Sequence, residues 1–511
     1  MPNHTTSTPH LRWVIAYGLP GFLGSVFMSI GSLGVGWFPL SIDALQWPIV
    51  NYLQTQTVGL ALSRSLVVVG AALLLQAWLV IGIDTLHSKT VSLRELYLTL
   101  TLWAAPLLFA APLFSRDVYS YYMQGRLQLD SHNPYDSGVA LVPGWFNSGV
   151  DPMWADAKTP YGPGFLLIEK VIAQLSGDSS FVASYLFRLV AVISVAMLAL
   201  GVAKLADLHG IDSANAVWLA VLNPLVIMHL IAGSHNDGLM VACSVIALVY
   251  SGTHRFVRAT ILATVALAIK PVAIVVLPFI ALSMTASTRI RDRVWALTKV
   301  TAIATLSLTA LSAVANVGPL GWLGALGTPG AVRSWISPMT ALGIGSGQFF
   351  SLMGFVDAME VTIPFFRLIG ALALAITLVY LTIKPNGRTA TRSAAFAFAA
   401  LVFLGPVVQP WYLLWTIPLL AASGLTRHQL RAVIIVICAF TVHGIANASA
   451  TADTFIEFSD GIAMVAAAVI LGLAIFASPR ERELILGDHH ERALFPETTQ
   501  AREKYRSLQI N

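Results

Sequence analysis

The sequence predicts an all-α integral membrane protein: a polytopic helical bundle of about 12–14 spans with a large, structured outer segment carrying surface helices. Three observations carry that expectation. Of 511 residues, 56% are hydrophobic and 11% charged, with a mean hydropathy of +0.75. A soluble domain carries about 25% charged residues, so the chain lacks the charge to cover a surface facing water. Apolar runs of span length recur along it, and Lys and Arg cluster in alternate short loops between those runs.

The first run, 12–36, has almost no positive region before it, with Arg12 standing alone, and exceeds a signal-peptide core, so it reads as a retained span. Others follow at 58–83, 94–114, 180–206, 214–232, 237–253, 257–270, 271–286, 294–316, 362–383, 394–408, 411–424, 430–448 and 460–478. Short or Pro-broken runs are tolerated where protein or a cavity covers the break, and the pair meeting at Lys270-Pro271 reads as half-helices. The chain divides into 1–93, membrane helices with no assigned role; 94–286, a module with an outer loop at 115–178; 287–478, further membrane helices; and the tail 479–511.

Charge sets the orientation. A cytoplasmic N-terminus places Lys89 and Arg94, Arg255 and Arg258, Arg289, Arg291 and Arg293 in inner loops. Lys384, Arg388, Arg392, Arg427, Arg431 and the tail from Arg480 to Arg506 fall on the same side. Short cytoplasmic loops are the basic ones, so both termini are expected inside a plasma membrane. The turn at 207–212, with only Lys204 nearby, is the exception. The outer side then holds 37–57, 115–178, 233–237, the Lys270-Pro271 bend, 317–340 and 409–412. A connection as long as 115–178 is functional or disordered, and its Tyr, Trp, Asp, Gly and Pro content favours a folded one.

Several chemistries are excluded. The basic residues form no dense face mixed with aromatics, so no nucleic-acid partner is expected. Cys243 and Cys438 lie in apolar runs without a CxxC partner, which argues against a disulfide framework or zinc site. No GxxxxGK[ST], strand–GxGxxG–helix or HExxH pattern occurs, and Gly343-Ile-Gly345-Ser-Gly347 lacks a strand before it. No nucleotide, metal or other cofactor is therefore expected. Synthesis outside the cytoplasm without nucleotides needs an activated donor that reaches that side, and a lipid-linked phosphosugar meets that requirement.

The outer segment supplies the candidate residues. Ser115 reads as the N-cap of a surface helix through Gln128, with Asp117 in its first turn, either as a catalytic carboxylate or as a cap favouring the helix dipole. Arg116, Tyr121, Asp151, Trp154 and Tyr161 combine aromatic faces for sugar rings with groups that bond hydroxyls; anchoring at the headgroup zone is the plain alternative. Asp237, Gln409, Trp411 and Tyr412 join them from other outer turns. Lys270 stands between two apolar runs, where an ionisable group is costly and usually functional, snorkelling being the other reading. Lys270, His235, Arg126 and Arg333 are the outer-side cationic candidates for a phosphate.

These stretches resemble the GT-C fold membrane glycosyltransferases. More narrowly they resemble the polyprenol-phosphomannose-dependent α-1,6-mannosyltransferases of actinobacterial lipomannan synthesis, the MptA/MptB family, with the wording closer to MptB. The matching segments are SRDVYSYYMQGRL from Ser115, NPYDSG from Asn133, DPMWADAKTPYGPG from Asp151, NPLVIMHLIAGSHNDGLM from Asn223, AIKPVAIVVLPF from Ala268 and VQPWYLLW from Val408. The resemblance implies inverting transfer from a polyprenyl phosphomannose donor to a phosphatidylinositol-mannoside or lipomannan acceptor, with Asp117 as general base. On this view 94–286 is the catalytic module and 287–478 completes the donor and acceptor cavity. A secondary transporter, or another extracytoplasmic polysaccharide ligase or polymerase, would share the composition and topology.

Overall fold

The computed structural model describes residues 9–88, 91–285, 287–384 and 386–446. The expected span at 460–478, the tail from Arg480 to Arg506, and Lys89 lie outside those residues. All regular structure among the described residues is helical, as expected of a polytopic bundle.

The first helices are α1 (Pro9–Val35), α2 (Pro48–Thr55) and α3 (Thr57–Ser88), then α4 (Leu93–Ala104), α5 (Asp117–Leu129) and α6 (Pro163–Ser176). The middle of the chain forms α7 (Ser180–Leu208), α8 (Ser213–Ala220), α9 (Asp237–Gly252), α10 (Phe256–Ile269), α11 (Leu277–Ser283) and α12 (Ile290–Ala315). The remainder is α13 (Pro338–Leu352), α14 (Ala358–Ile383), α15 (Ala390–Leu404), α16 (Ile417–Ser423) and α17 (Arg427–Ala446).

Six of these, α1, α3, α7, α12, α14 and α17, are long and apolar enough to cross a membrane. The larger number expected from sequence counted every apolar run as a span, whereas the shorter runs form broken helices. Run 94–114 is α4 followed by the 3-10 turn Ala105–Phe109, and 214–232 is α8 followed by a π-helix at Val226–Ala232. That π-helix turns through 113° into α9. Pro271 and Pro410 open 3-10 segments at Pro271–Val276 and Pro410–Trp415. The segment expected as outer loop 317–340 ends in α13, which packs on α14: Thr362 donates to the Gly343 carbonyl at 2.7 Å. On α14, Phe365, Leu368, Leu372, Ile376 and Val379 are exposed, an apolar face suited to hydrocarbon.

Local chemistry explains the key joints. Ser92 and Glu95 form a capping box that starts α4, and His10 reaches the Glu95 carboxylate at 3.0 Å. The α1–α3 contact is a small-residue seam, because a Cβ on Gly24 would lie 2.5 Å from the Gly70 carbonyl oxygen, and the reverse holds for Gly70. α3 is tied to the centre of the bundle through α8, which is almost wholly buried. Trp78 donates its indole N–H to the Trp218 carbonyl at 3.1 Å, Trp218 returns the bond to the Trp78 carbonyl at 2.9 Å, and the rings stack 5.1 Å apart.

The long segment 115–178 is folded, as its composition suggests. Arg116 donates to Asp151 at 3.1 Å, Thr159 to the Gln124 side chain at 2.8 Å, and Tyr135 to the Tyr161 carbonyl at 3.0 Å. Tyr135 is itself buried, so it braces the segment.

Candidate active site

Three breaks in helical structure bring distant residues to one place. At the first, the chain leaves the turn Ala105–Phe109, passes Phe114 at a left-handed φ of +66°, and enters α5 at Asp117. Ser115 accepts the Asp117 backbone N–H at 3.0 Å, a local turn one step short of the N-cap geometry expected from sequence. At the second break the π-helix ends at Ala232, Ser234 adopts φ +54°, and His235 and Asp237 follow. Strained non-glycine backbone of this kind costs about 1–3 kcal/mol per residue and clusters at functional sites. The third is the pair of X-Pro steps at Lys270-Pro271 and Gln409-Pro410, where the residue before proline is forced into extended backbone and the helix stops.

The residues meet as follows. Asp117 Oδ2 lies 3.5 Å from His235 Nδ1. The His235 ring stacks on Trp411 at 3.7 Å. Tyr412 stacks on Trp415 at 4.3 Å, and Trp415 donates its indole N–H to Asp237 Oδ1 at 2.6 Å. Lys270 Nζ bonds both Asp237 oxygens at 2.8 Å and lies 5.0 Å from the Tyr412 ring centre, 5.4 Å from Trp415 and 6.0 Å from Tyr161. Tyr161 meets Tyr121 edge-on at 5.4 Å, which leads back to α5. The PYGPG turn seats this wall: Gly162 donates to the Ile269 carbonyl at 3.2 Å, and a Cβ there would fall 2.5 Å from the Ala268 carbonyl oxygen.

Accessibility divides the acids. The Asp237 side chain is 1% exposed and its oxygens are taken by Lys270 and Trp415, whereas the Asp117 side chain keeps 26% of its surface open. Asp117 is therefore the carboxylate that can receive an incoming proton. Burial raises its pKa, but the His235 imidazole, the Ser115 hydroxyl and the Lys270 charge outweigh it and hold the carboxyl below the usual range. Tyr121 and Tyr161 are pushed well above the ordinary phenol value, first by burial and then by neighbours including Asp117 and Asp237, so both remain O–H donors.

Of the sequence candidates, Asp117, Tyr121, Tyr161, His235, Asp237, Lys270, Trp411 and Tyr412 converge. Arg116 and Asp151 form an ion pair beside them, with the Arg116 guanidinium 4.4 Å over the Trp37 ring. Trp154 is half-buried in the short turn that Asp151 caps, and Gln409 is half-buried at the Pro410 break. Two cations are placed elsewhere. Arg126 sits nine residues beyond Asp117 on α5 and bonds the Gly177 carbonyl and Asp178, and Arg333 pairs with Glu360 at 2.5 Å on an exposed surface. Sequence reading missed Trp415 and Trp37, because an indole in an apolar run does not announce a polar partner.

It also missed Arg188, buried on α7. Its guanidinium donates to the carbonyls of Leu108, Ala110 and Ala232, the ends of the two segments that lead to Asp117 and His235. A cation at two helical C-termini is favourably placed. Arg188→Leu is expected to lower stability by about 3 kcal/mol or more, because the carbonyls lose a charged donor. Arg188→Lys, which lacks the planar fork, recovers only part of the loss. Melting midpoints in detergent and residual turnover below the variant's transition check both.

The chain's relatives share this region. The family model described as alpha-(1->6)-mannopyranosyltransferase, N-terminal domain, matches residues 18–286, and the MptB C-terminal domain matches residues 339–477. A probable alpha-(1->6)-mannopyranosyltransferase of Mycolicibacterium smegmatis is 32% identical over 89% of this chain and 87% of its own length. An alpha-(1->6)-mannopyranosyltransferase of Mycobacterium tuberculosis is 32% identical over 92% of this chain and 88% of its own. Alpha-(1->6)-mannopyranosyltransferase A of the same organism is 32% identical over 81% of each.

Proposed function

The chain belongs to the alpha-(1->6)-mannopyranosyltransferase family and is a membrane glycosyltransferase, and from that premise we propose that it moves mannose from polyprenyl phosphomannose onto a lipid-anchored mannan. The linkage formed is α-1,6, and the acceptor is a phosphatidylinositol-mannoside or lipomannan in the synthesis of the lipomannan and lipoarabinomannan backbone. The match of residues 339–477 to the MptB C-terminal domain supports a place on the MptB-like side.

One observation supports the mechanism best: a partly open carboxylate, Asp117, stands beside a buried imidazole and a lysine ringed by aromatics. In this reading the acceptor 6-hydroxyl attacks the anomeric carbon of a β-linked mannosyl phosphate, and its proton passes to Asp117 as the C–O bond forms. The bond to phosphate oxygen breaks on the opposite face, inverting the configuration and releasing polyprenyl phosphate. Lys270 gives two N–H groups to Asp237, so one of its three donors remains for the departing phosphate. Trp411, Tyr412 and Tyr161 offer faces for sugar rings, and Tyr121 and Arg116 line the approach.

Purified protein with defined polyprenyl phosphomannose and a short mannan acceptor should yield, by mass spectrometry, an acceptor one hexose heavier. No nucleotide sugar or ion gradient should be required. Dependence on a nucleotide sugar, or absence of any covalent product, overturns the reading. The site is proposed to face away from the cytoplasm. A cysteine placed at Trp154 should react with a membrane-impermeant reagent in intact cells, while one placed at Arg258 stays protected until lysis. The reverse pattern overturns the orientation.

A further inference from the structure

The end of the bundle remote from Asp117 carries a cavity. Helix α9 starts at Asp237, within the candidate site, and ends 15 residues later at Gly252, about 22 Å away along its axis. There a cavity of about 340 Å³ opens where the C-terminal ends of α7, α9 and α11 meet the N-terminal ends of α12 and α15. One wall is apolar, with Leu205, Leu248 and Phe279. The rest is built from hydroxyl groups, the imidazoles of His209 and His254 and the guanidinium groups of Arg293 and Arg388, and among the described residues no Asp or Glu lines it.

The arginines are held in place rather than splayed into water. Arg293 donates to the Ser287 carbonyl at 3.3 Å and the Ile383 carbonyl at 3.2 Å, and Arg388 donates to the Lys384 carbonyl at 2.5 Å. Arg388 Nε is buried without a partner among the described residues. The backbone folds sharply to present Arg388, with left-handed φ of +50° at Asn386 and +72° at Gly387. The Ser283 hydroxyl donates to the Ile280 carbonyl at 2.7 Å and accepts from Ser251 at 2.6 Å, so that pair is satisfied internally, while Thr288, Thr389 and Ser393 add further hydroxyls to the lining. Positive charge without a carboxylate among the described lining residues, the hydroxyls of Thr288, Thr389 and Ser393, and an unmet guanidinium N–H together describe a receptor for an anion. Guanidinium forks match phosphate oxygens.

We propose that this cavity binds the phosphate of a phosphorylated headgroup, with the acyl portion of an acidic phospholipid running along the apolar wall. The volume exceeds that of inorganic phosphate and leaves room for the alcohol esterified to it. Basic pockets between membrane helices bind anionic headgroups in this way. The proposal does not depend on which sugar is transferred, because it concerns the opposite end of the bundle.

The test uses the full-length protein in mild detergent, by native mass spectrometry with an equimolar mixture of phosphatidylglycerol, phosphatidylinositol and phosphatidylcholine. Acidic lipids should be retained about tenfold over phosphatidylcholine, and Arg293→Gln with Arg388→Gln should abolish that preference. Thr288→Val with Ser393→Ala, which keeps both arginines, should weaken it if the double arginine variant fails to fold. Parallel titrations with inorganic phosphate and glycerol 3-phosphate separate the sources. Displacement of lipid by either ester or anion assigns a soluble phosphate, and retention of lipid assigns the membrane. Equal retention of acidic and zwitterionic lipid with no stabilisation by either phosphate overturns the proposal, as does a preference unchanged in both variants.

Discussion

Asp117→Asn leaves a folded, membrane-inserted protein whose transfer rate falls by about a hundredfold to ten-thousandfold, the usual loss when a general base is removed. The substitution is nearly isosteric, and the bond that starts α5 runs from the Asp117 backbone N–H to Ser115, so the helix start is untouched. What disappears is the open carboxylate that faces His235, since Asp237 is closed by Lys270 and Trp415 and Asp151 is paired with Arg116. A pH profile sharpens the result. The parent carboxyl is held below the usual range, so its ionised, proton-accepting form persists into mildly acidic buffer, and turnover is lost only as pH falls through that lowered value. In His235→Gln the burial contribution is left less opposed, so the acid limb should move to higher pH. An Asp117→Asn enzyme turning over like the parent would reduce the residue to a helix-start carboxylate, and an acid limb unmoved in His235→Gln would separate the imidazole from it.

Lys270→Ala should cost both stability and turnover, and the structure shows why the two losses must be separated. Removing the ammonium strands Asp237, 1% exposed, with one indole N–H for company. Breaking a buried pair in this way costs about 3–5 kcal/mol. The informative variant is Lys270→Met combined with Asp237→Asn, which removes both charges while keeping an acceptor for Trp415. It should melt near the parent, yet transfer from the lipid donor about 10²–10³ more slowly, the scale of losing one donor to a developing anion. Lys270→Arg should restore part of the rate, since the charge stays while the point-like geometry is lost. Steady-state kinetics with polyprenyl phosphomannose decide the matter: a neutral pair that turns over like the parent makes Lys270–Asp237 a strut and moves the phosphate contact to Arg116 or His235.

The sequence carried the start of α5 plainly, because an acid after Pro112 and Ser115, followed by a run able to form a surface helix, is a local signal. Lys270 was legible for a similar reason, as an ionisable group before proline between apolar runs. Its partner was not. Asp237 lies 33 residues away, and nothing local distinguishes a carboxylate that neutralises a lysine from one that bonds a sugar hydroxyl. Arg126 and Arg333 show the same limit. The charge pattern suggested a side of the membrane for each, but lateral position comes from packing, which took one to Asp178 and the other to Glu360. Arg188 was hidden for the opposite reason, since a single arginine inside a long span reads as noise until its three carbonyl partners are in view. Hydropathy marked the apolar runs but not their breaks at proline or the π-helix, because it measures composition and is blind to where a helix turns.

The reciprocal Trp78–Trp218 contact also orders assembly. Synthesis proceeds from the N-terminus, so α3 is made long before α8, with 140 residues separating the two indoles. Through that interval the Trp78 N–H has no partner from α8, and an unmet polar group in hydrocarbon costs several kcal/mol. Arrival of α8 satisfies both indoles in one docking event and seals the seam between the α1–α3 pair and the bundle. The N-terminal helices thus act as a template, a preformed surface against which the later, shorter and more broken helices are sorted into register.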